Sequence, residues 1–341
     1  MTGLWYNRGR YGIKALQRRG AAGKEEAAGV QPFQKKKESE RMDTEEKGVC
    51  QGYFDVKQDE ELRDKPSGVF ASRKRRPVDF SMTADHSHGY YELFYLATGR
   101  CRIFLNHTIY HLEPGDLILI EPQALHRTIY GLTRENERIA VGFAPEHMKQ
   151  LEIQWGKEWS GRLRGKPCIS VEPGRRRYVE NLLEKILSEQ KNRDVFSDVL
   201  IRNYLSELLA FCGRYRLEHQ SPKIQDVAES AAQEAEIQEA ASYIYHHFRE
   251  PLTLELVAGR VHMSPAYFSR RFKKLTGFGY KEYLNYVRLK EASRMLLETE
   301  LSVADIAQLC GFSDGNYFGD LFKKEKGISP RVYRKNPQRF I

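Results

Sequence analysis

The chain has few cysteines, and none of them forms a closely spaced pair. The five cysteines of the 341-residue sequence are Cys50, Cys101, Cys168, Cys212 and Cys310. Their odd number and scattered positions argue against a disulfide framework and against a zinc–cysteine site. This cysteine usage is typical of a protein from a reducing cytoplasm.

The sequence also lacks a long hydrophobic segment. Its longest aliphatic run covers only residues 117–120, whereas a membrane-spanning helix needs about 20 apolar residues. The N-terminus is rich in arginine and has no apolar core, which argues against a secretory signal. Apolar residues make up 40% of the chain and charged residues 30%. We therefore expect a soluble, cytoplasmic protein with room for about two folded domains.

The net charge of +9 is distributed unevenly along the chain. Residues 1–41 have a net charge of +6, residues 42–236 of −3, and residues 237–341 of +6. The basic C-terminal third predicts a polyanionic partner. Residues 1–41 are interpreted as a disordered basic extension, with Met42 as a second candidate initiator. The alternative is a basic arm that contacts nucleic acid.

Residues 68–143 follow the alternation expected of β-strands. Short runs rich in β-forming residues, at 91–96, 101–105 and 117–120, are separated by turn-forming residues such as glycine and asparagine. Several short strands at this spacing predict a sandwich or barrel. We assign residues 42–174 to this domain.

Residues 175–217 change to the period of amphipathic helices. The apolar positions are Val179, Leu182, Leu183, Ile186 and Leu187 in a first stripe, and Val195, Val199, Leu200, Tyr204, Leu205, Leu208 and Leu209 in a second. These stripes could pack against the barrel or against the same helices of a second subunit, and we predict dimerisation. Residues 218–236 are predicted to be a partly helical linker.

The C-terminal third contains a repeat. The segment YFSRRFKKLTG at 267–277 returns fifty residues later as YFGDLFKKEKG at 317–327. Two copies of one unit indicate a duplicated supersecondary structure.

Each copy predicts a helix, a tight turn and a second helix. The first helices span 253–260 and 302–309, and the second helices span 264–274 and 314–324, with Gly311 suited to a positive φ in the turn. This is the layout of the helix-turn-helix, whose second helix enters the DNA major groove.

The periodicity of the second helices separates a core face from a polar face. Phenylalanines at i, i+4 spacing predict the core face. The polar face comprises Ala266, Ser269, Arg270, Lys273 and Lys274 in the first copy, and Asn316, Gly319, Asp320, Lys323 and Lys324 in the second. Arg270 suits guanine, Asn316 adenine and Asp320 cytosine, while the lysines suit phosphates. Gly319 offers no side chain, so the second copy would mainly contact the DNA backbone. The alternative for all ten residues is a solvated helix face.

Residues 237–341 resemble the AraC/XylS family of bacterial transcription regulators. The matching positions are Arg288, Ala292, Leu296, Ile306, Ala307, Gly311, Phe312, Tyr317, Phe318, Phe322, Lys323, Gly327, Ser329, Pro330, Tyr333 and Arg334. The resemblance implies two helix-turn-helix subdomains joined by a long helix, about 281–298, that bind adjacent major grooves of promoter DNA. It also implies a nucleoid-associated homodimer that acts with RNA polymerase, more commonly as an activator.

The strand-rich half contains a second group of functional residue types. The spacing His-x-His-x3-Glu-x6-Gly, followed by Gly-x10-His, resembles the two motifs of cupin barrels, and its potential ligands are His86, His88, Glu92 and His126. An extended strand would place His88 and Glu92 on one face. Such a set suits Mn, Fe, Ni or Zn. Pro122 lies one position late and Tyr130 replaces the usual asparagine, which argues against enzyme-like metal chemistry.

Three interpretations of this group remain open: a bound metal, a pocket for a small effector, or a packed remnant of the barrel. The candidate effector pocket comprises His86, His88, Tyr90, Glu92, Arg102 and His126. Aromatic rings beside histidine and arginine suit a sugar or a small carboxylate.

We therefore predict an α+β multidomain protein, with a cupin-like β-barrel, two flanking helices and an all-α tandem helix-turn-helix domain at 237–341. The predicted function is a transcription regulator controlled by a small-molecule effector, possessing no enzymatic activity. The alternative functions are a metal-dependent cupin enzyme fused to a DNA-binding domain and a ligand-free constitutive DNA-binding protein.

Overall fold

The structure, a computed structural model, describes residues 65–76, 88–130, 135–218 and 230–335. The predicted extension at 1–41 and the candidate ligand His86 therefore lie outside the described residues. The strands of the described part are β1 (Val69–Arg76), β2 (Tyr91–Thr98), β3 (Cys101–Leu105), β4 (Thr108–Leu112), β5 (Asp116–Ile120), β6 (His126–Tyr130), β7 (Asn136–Phe143) and β8 (Cys168–Ser170).

The strands form two antiparallel sheets that face each other. The larger sheet has the order β1-β7-β2-β5-β8, and the smaller has the order β4-β3-β6. Phe94 and Ile118 on one face of the larger sheet pack between the sheets, while Leu93 and Leu119 on the other face pack against helices. Because both faces are buried, β2 and β5 are apolar runs rather than alternating strands. The predicted strand-rich N-terminal domain is confirmed.

Within the described residues, four helices accompany the sheets. They are α1 (Pro145–Trp155), α2 (Glu158–Gly165), α3 (Pro173–Lys191) and α4 (Ser197–Glu218). The first predicted stripe packs against the larger sheet, as does most of the second. Val195, which precedes α4, and Val199 do not, because they are 87% and 50% exposed. Leu200 is half-buried and lies outside this core. The short helices α1 and α2 were not predicted.

Seven helices form the described part of the C-terminal half, residues 230–335. They are α5 (Ser230–His247), α6 (Leu254–Arg260), α7 (Pro265–Thr276), α8 (Tyr280–Glu298), α9 (Val303–Leu309), α10 (Gly315–Lys326) and α11 (Pro330–Lys335). Within the described ranges, no helix combines the length and the apolar character needed to cross a bilayer.

The predicted linker at 218–236 ends within a helix, because α5 begins at Ser230. Ile237, Ala241 and Ile244 of α5 follow helical spacing and are buried in the core of the first helix-turn-helix. The predicted domain boundary at 237 therefore falls inside a continuous helix.

The helices of the repeated unit begin and end where local rules place their caps. The side chains of Thr253, Ser264, Ser302 and Asp314 each accept a hydrogen bond from a backbone N–H in the first turn of α6, α7, α9 and α10. Both α7 and α10 end at a left-handed glycine, Gly277 and Gly327. Gly311 has a φ of +84° in the turn, which confirms its predicted conformation.

Candidate nucleic-acid interface and ligand site

The second helices of the two repeats, α7 and α10, each present one polar face away from the core. Phe268 and Phe272 of α7 and Phe318 and Phe322 of α10 are fully buried, as the i, i+4 spacing predicts. The structure leaves eight predicted DNA-contacting residues exposed and two half-buried: Ala266, Arg270, Lys273, Lys274, Asn316, Asp320, Lys323 and Lys324, and Ser269 and Gly319. The arrangement provides two basic, outward-facing helices of helix-turn-helix geometry.

The long helix α8 holds these two units in place. The Arg288 guanidinium donates hydrogen bonds to the carbonyl oxygens of Phe248 and Glu250 at 2.8 and 2.9 Å, so it binds the end of α5. The Asn285 amide donates to the Tyr317 hydroxyl of α10 at 3.0 Å. Arg288 and Tyr317, two of the matching family positions, therefore have structural roles.

The barrel brings three of the four predicted ligands together between the sheets. One ligand atom from each of His88, Glu92 and His126 lies within 4.8 Å of the others, and all three residues are buried. His88 Nε2 is 3.1 Å from Glu92 Oε2, while His88 Nδ1 is 2.8 Å from the carbonyl oxygen of Tyr90. His126 Nδ1 is 2.9 Å from the carbonyl oxygen of Ala124.

The hydrogen bonds fix which nitrogen of each ring faces the cluster. A carbonyl oxygen only accepts, so Nδ1 of His88 and Nδ1 of His126 carry protons. The Nε2 atom of His88 then faces the Glu92 carboxylate, and the pair requires either a second proton on His88 or a cation between the two residues. This orientation by a backbone carbonyl is typical of histidines that bind metals.

A fourth residue, Arg138 of β7, joins the cluster without having been predicted. Its Nη1 is 3.7 Å from Glu92 Oε1, and its guanidinium lies over the Phe94 ring. Burial alone would raise the pKa of Glu92, but the hydrogen bond and charge of His88, together with Arg138 and His126, hold the pKa well below its usual range. Glu92 is therefore an ionised acceptor inside the barrel.

The two remaining predicted effector residues, Tyr90 and Arg102, lie in different environments. Tyr90 is buried and its ring stacks on His88, with 3.8 Å between centroids. Arg102 lies on the opposite face of β3 from Cys101 and Ile103, where it forms an ion pair with Glu234 of α5 at 2.7 Å. The prediction that Arg102 lines the pocket is therefore wrong, since alternation along β3 points its side chain away from the barrel interior.

The outer face of the smaller sheet contacts the DNA-binding half directly. Phe104 of β3 is buried with Phe278 and Tyr283, at ring distances of 5.8 and 5.6 Å. The Arg127 guanidinium of β6 donates to the carbonyl oxygen of Gly277, the residue that ends α7, at 2.5 Å. The same sheet thus borders the ligand cluster on one face and the first helix-turn-helix on the other.

Comparisons with known families and proteins agree with the division of the chain into a strand-rich half and a helical half. A family model described as an AraC-like ligand binding domain matches residues 68–209, and one described as a helix-turn-helix domain matches residues 257–336. The first contains the barrel cluster and the second contains α7 and α10.

The chain is similar to several transcription activators. It is 25% identical over 255 residues to the HTH-type transcriptional activator RhaR of Enterobacter sp. (strain 638), covering 74% of this chain and 86% of the relative. It is 28% identical over 239 residues to the lactose operon transcription activator of Staphylococcus xylosus, covering 66% and 76%.

Among solved structures, the C-terminal domain of AraT, a response regulator from Geobacillus stearothermophilus, is 38% identical, covers 30% of this chain and 84% of that chain, and has a TM-score of 0.29. With a sheet-rich ligand-binding domain followed by two helix-turn-helix units, and relatives that are transcription activators, the chain belongs to the AraC family of transcriptional regulators.

Proposed function

We propose that this regulator responds to a small, hydroxyl-rich effector, a sugar in the first instance, bound at the buried cluster of His88, Glu92, His126 and Arg138. The observation that supports this most directly is the burial of an ionised carboxylate beside an arginine between the two sheets. An acceptor and a donor placed side by side suit the paired hydroxyls of a sugar. The relative named as a lactose operon activator favours the same class.

The experiment measures promoter-DNA affinity of the full chain by fluorescence anisotropy, with and without a panel of monosaccharides and disaccharides that includes lactose. We expect one class of sugar to change the affinity at least tenfold. Glu92→Gln should abolish the response while leaving ligand-free DNA binding intact. Glu113→Gln, at an exposed glutamate paired with Arg100, is the matched control. If no sugar changes either the affinity or the thermal unfolding midpoint, the proposed class of effector is wrong.

The DNA-contacting roles belong to the same proposal. Arg270 of α7 contacts a guanine edge, while Lys273, Lys274, Lys323 and Lys324 contact phosphates. The exposed, basic ends of α7 and α10 support this assignment. In this proposal the protein acts on nucleoid DNA in the cytoplasm, contacts RNA polymerase and activates transcription. Two of its relatives are named as transcription activators, which supports activation. The barrel cluster binds its ligand without converting it.

A homodimer formed through α3 and α4 is also part of the proposal. Val195, Phe196 and Val199 are exposed together where α4 begins, and exposed apolar patches commonly mark protein interfaces. Sedimentation velocity of the full chain should give a dimer, and Phe196→Glu should give a monomer. Val332→Glu, at an exposed apolar residue of α11, should leave the dimer intact. A monomeric wild-type protein would remove α3 and α4 from this role.

A second candidate for the cluster is a divalent metal ion. His88, Glu92 and His126 supply the nitrogen and oxygen donors that Mn, Fe, Ni and Zn accept, and both histidines have Nδ1 directed at a backbone carbonyl. A bound metal would supply a Lewis-acidic anchor for hydroxyl or carboxylate oxygens of the effector. Arg138 would then orient the effector, and Tyr90 would keep the His88 ring in position.

Elemental analysis of the untagged full chain distinguishes the two candidates. If a metal is resident, the wild-type protein contains it stoichiometrically and His126→Ala loses it. His111→Ala is the control, because that ring pairs with Glu234 outside the barrel. Absence of metal from both the wild type and the control would exclude the metal candidate, and the sugar-binding proposal would not be affected.

A further inference from the structure

A cavity lies between the barrel and the DNA-binding half, and the four residues of the buried cluster are not among those that line it. Its volume is about 710 Å³, which is within the usual range for sites that bind small molecules. Turns of the barrel at Asn106 and Gln123 form one wall. Helices α5 and α8 form the other, with Tyr333 of α11 at one end.

One face of α8 lines the cavity. Tyr283, Tyr286, Lys290, Arg294 and Leu297 lie on this face, because residues three or four positions apart share a side of a helix. The hydroxyls of Tyr283 and Tyr286 donate to the carbonyl oxygens of Asn106 and Gln123 in the barrel turns. The α8 wall is therefore aromatic, and it is fixed to the barrel at two points.

The charged groups of the cavity wall neutralise one another, with one exception. Arg249 and Arg294 both pair with Glu291, at 3.1 and 2.9 Å, and Arg294 also pairs with Glu298. Lys290 has neither a hydrogen bond nor an ion pair within the part of the chain that the structure describes. Burial lowers the pKa of its ammonium group, and Glu121 only partly opposes this effect. Lys290 is half-buried, and a partly desolvated cation without a close partner is costly, so an anion beside it would reduce that cost.

We propose that this cavity is a second ligand site, which binds an organic anion with its carboxylate or phosphate on Lys290 and its apolar body against Tyr283, Tyr286 and Leu297. None of the residues of the barrel cluster lines this site, and the proposal does not rest on which ligand that cluster binds. Its ligand contacts residues of both halves of the chain.

The turn that contains Gln123 connects the cavity to the barrel cluster through hydrogen bonds. The Gln123 N–H donates to the carbonyl oxygen of His88 at 2.6 Å, and its own carbonyl accepts from Tyr286. Ala124, the next residue, accepts from His126. Occupancy of the cavity and occupancy of the cluster would therefore influence each other through one short turn, and such coupling is reciprocal.

The test uses 8-anilinonaphthalene-1-sulfonate, an aromatic anion that becomes fluorescent in apolar sites, titrated into the full chain. We expect Lys290→Met to weaken binding at least tenfold and Lys290→Arg to keep it within about threefold. Lys281→Met is the matched control, because Lys281 is an exposed lysine of the same helix. Its affinity should equal that of the wild type.

Competition experiments identify the chemistry of the natural ligand. Displacement of the probe by 1-naphthoate indicates a carboxylate, displacement by 1-naphthyl phosphate indicates a phosphate, and the neutral 1-naphthalenemethanol should compete at least tenfold less well than either anion. Thermal unfolding without ligand should show Lys290→Met at least as stable as the wild type, since it removes a desolvated charge.

Three results would overturn the proposal. One is unchanged probe affinity in Lys290→Met, and another is equal competition by the neutral alcohol. The third is loss of the probe in Arg138→Met, a variant that removes the arginine of the barrel cluster, because this loss would place the anion in that cluster instead. Failure of the sugar experiment leaves all three measurements interpretable, because none of them involves a sugar.

Discussion

At the residue scale, the two copies of the repeat differ most at one exposed position, which is Arg270 in α7 and Asp320 in α10. Arginine pairs with guanine in the major groove through two hydrogen bonds. Arg270→Ala should therefore weaken binding to the preferred site by about 1–3 kcal/mol and relax the preference at one base pair. Anisotropy titrations on a set of single-base operator variants measure both effects. An equal loss on every sequence would show that Arg270 does not recognise a base.

Lys323 of α10 should behave differently, because an exposed lysine near the end of a recognition helix contacts phosphate rather than base edges. Lys323→Ala should weaken binding to all sequences alike. It should also reduce the slope of log affinity against log salt by about one unit. Lys149→Ala on α1, an exposed lysine of the barrel domain, is the control. An unchanged salt slope in Lys323→Ala would contradict the phosphate contact.

Which side chains enter the barrel could be predicted only in part. The ligand types His88, Glu92 and His126 were found from their spacing, and the structure places them together. Arg138 of β7 was not considered, and Arg102 of β3 was assigned to the wrong face of its strand. In β3 both faces are buried against protein, so alternation shows that neighbours point in opposite directions without showing which direction is inward.

At the element scale, alanine substitutions at the two left-handed glycines Gly311 and Gly327 separate the cost of backbone strain from the cost of a steric clash. Both have positive φ, but a Cβ on Gly311 would lie 2.8 Å from the Phe248 carbonyl oxygen, whereas a Cβ on Gly327 meets nothing within 4 Å. Gly327→Ala should cost about 1 kcal/mol from backbone strain alone. Gly311→Ala should cost roughly 2–4 kcal/mol, since the clash adds to the strain.

Urea unfolding of the full chain measures these costs. Gly259→Ala is the control, because this glycine of α6 has open space around it and alanine favours a helix by about 0.5–1 kcal/mol. Equal free energies of unfolding for the Gly311 and Gly327 variants would mean that the turn after α9 relaxes away from Phe248.

The helices of the repeat could be predicted closely because their limits depend on local chemistry. Hydroxyl and carboxylate caps begin these helices and glycines end the second of each pair, and all of these residues are visible in the sequence. Helices α1 and α2 were missed. Their stability comes from packing against distant segments, as with Leu163 of α2 in the main barrel core. The local sequence pattern does not indicate such packing.

At the scale of the whole molecule, β3 joins the two halves through adjacent residues that face opposite ways. Phe104 packs with the core of the first helix-turn-helix, while Leu105 packs between the sheets. Phe104→Ala should lower stability by about 3–5 kcal/mol and divide thermal unfolding into two transitions, because it removes the packing of this barrel side chain against Phe278 and Tyr283.

Leu105→Ala is the matched control for this experiment. It should cost about 2–5 kcal/mol and lower the unfolding temperature of the barrel without weakening the contact between the halves. Differential scanning calorimetry resolves the transitions. If Phe104→Ala and Leu105→Ala give the same number of transitions, the Phe104 contact does not couple the two halves.

Helix α5 belongs to both halves at once. Its Glu234 and Gln238 bind Arg102, His111 and the backbone of Ile109 in the barrel, while Ile237 and Ile244 complete the core of the DNA-binding half. Chimeric regulators that exchange sensor domains among relatives must therefore be joined before Ser230, within residues 219–229. A junction at 237 would divide one helix between two parents, so that Glu234 would come from one protein and Gln238 from the other.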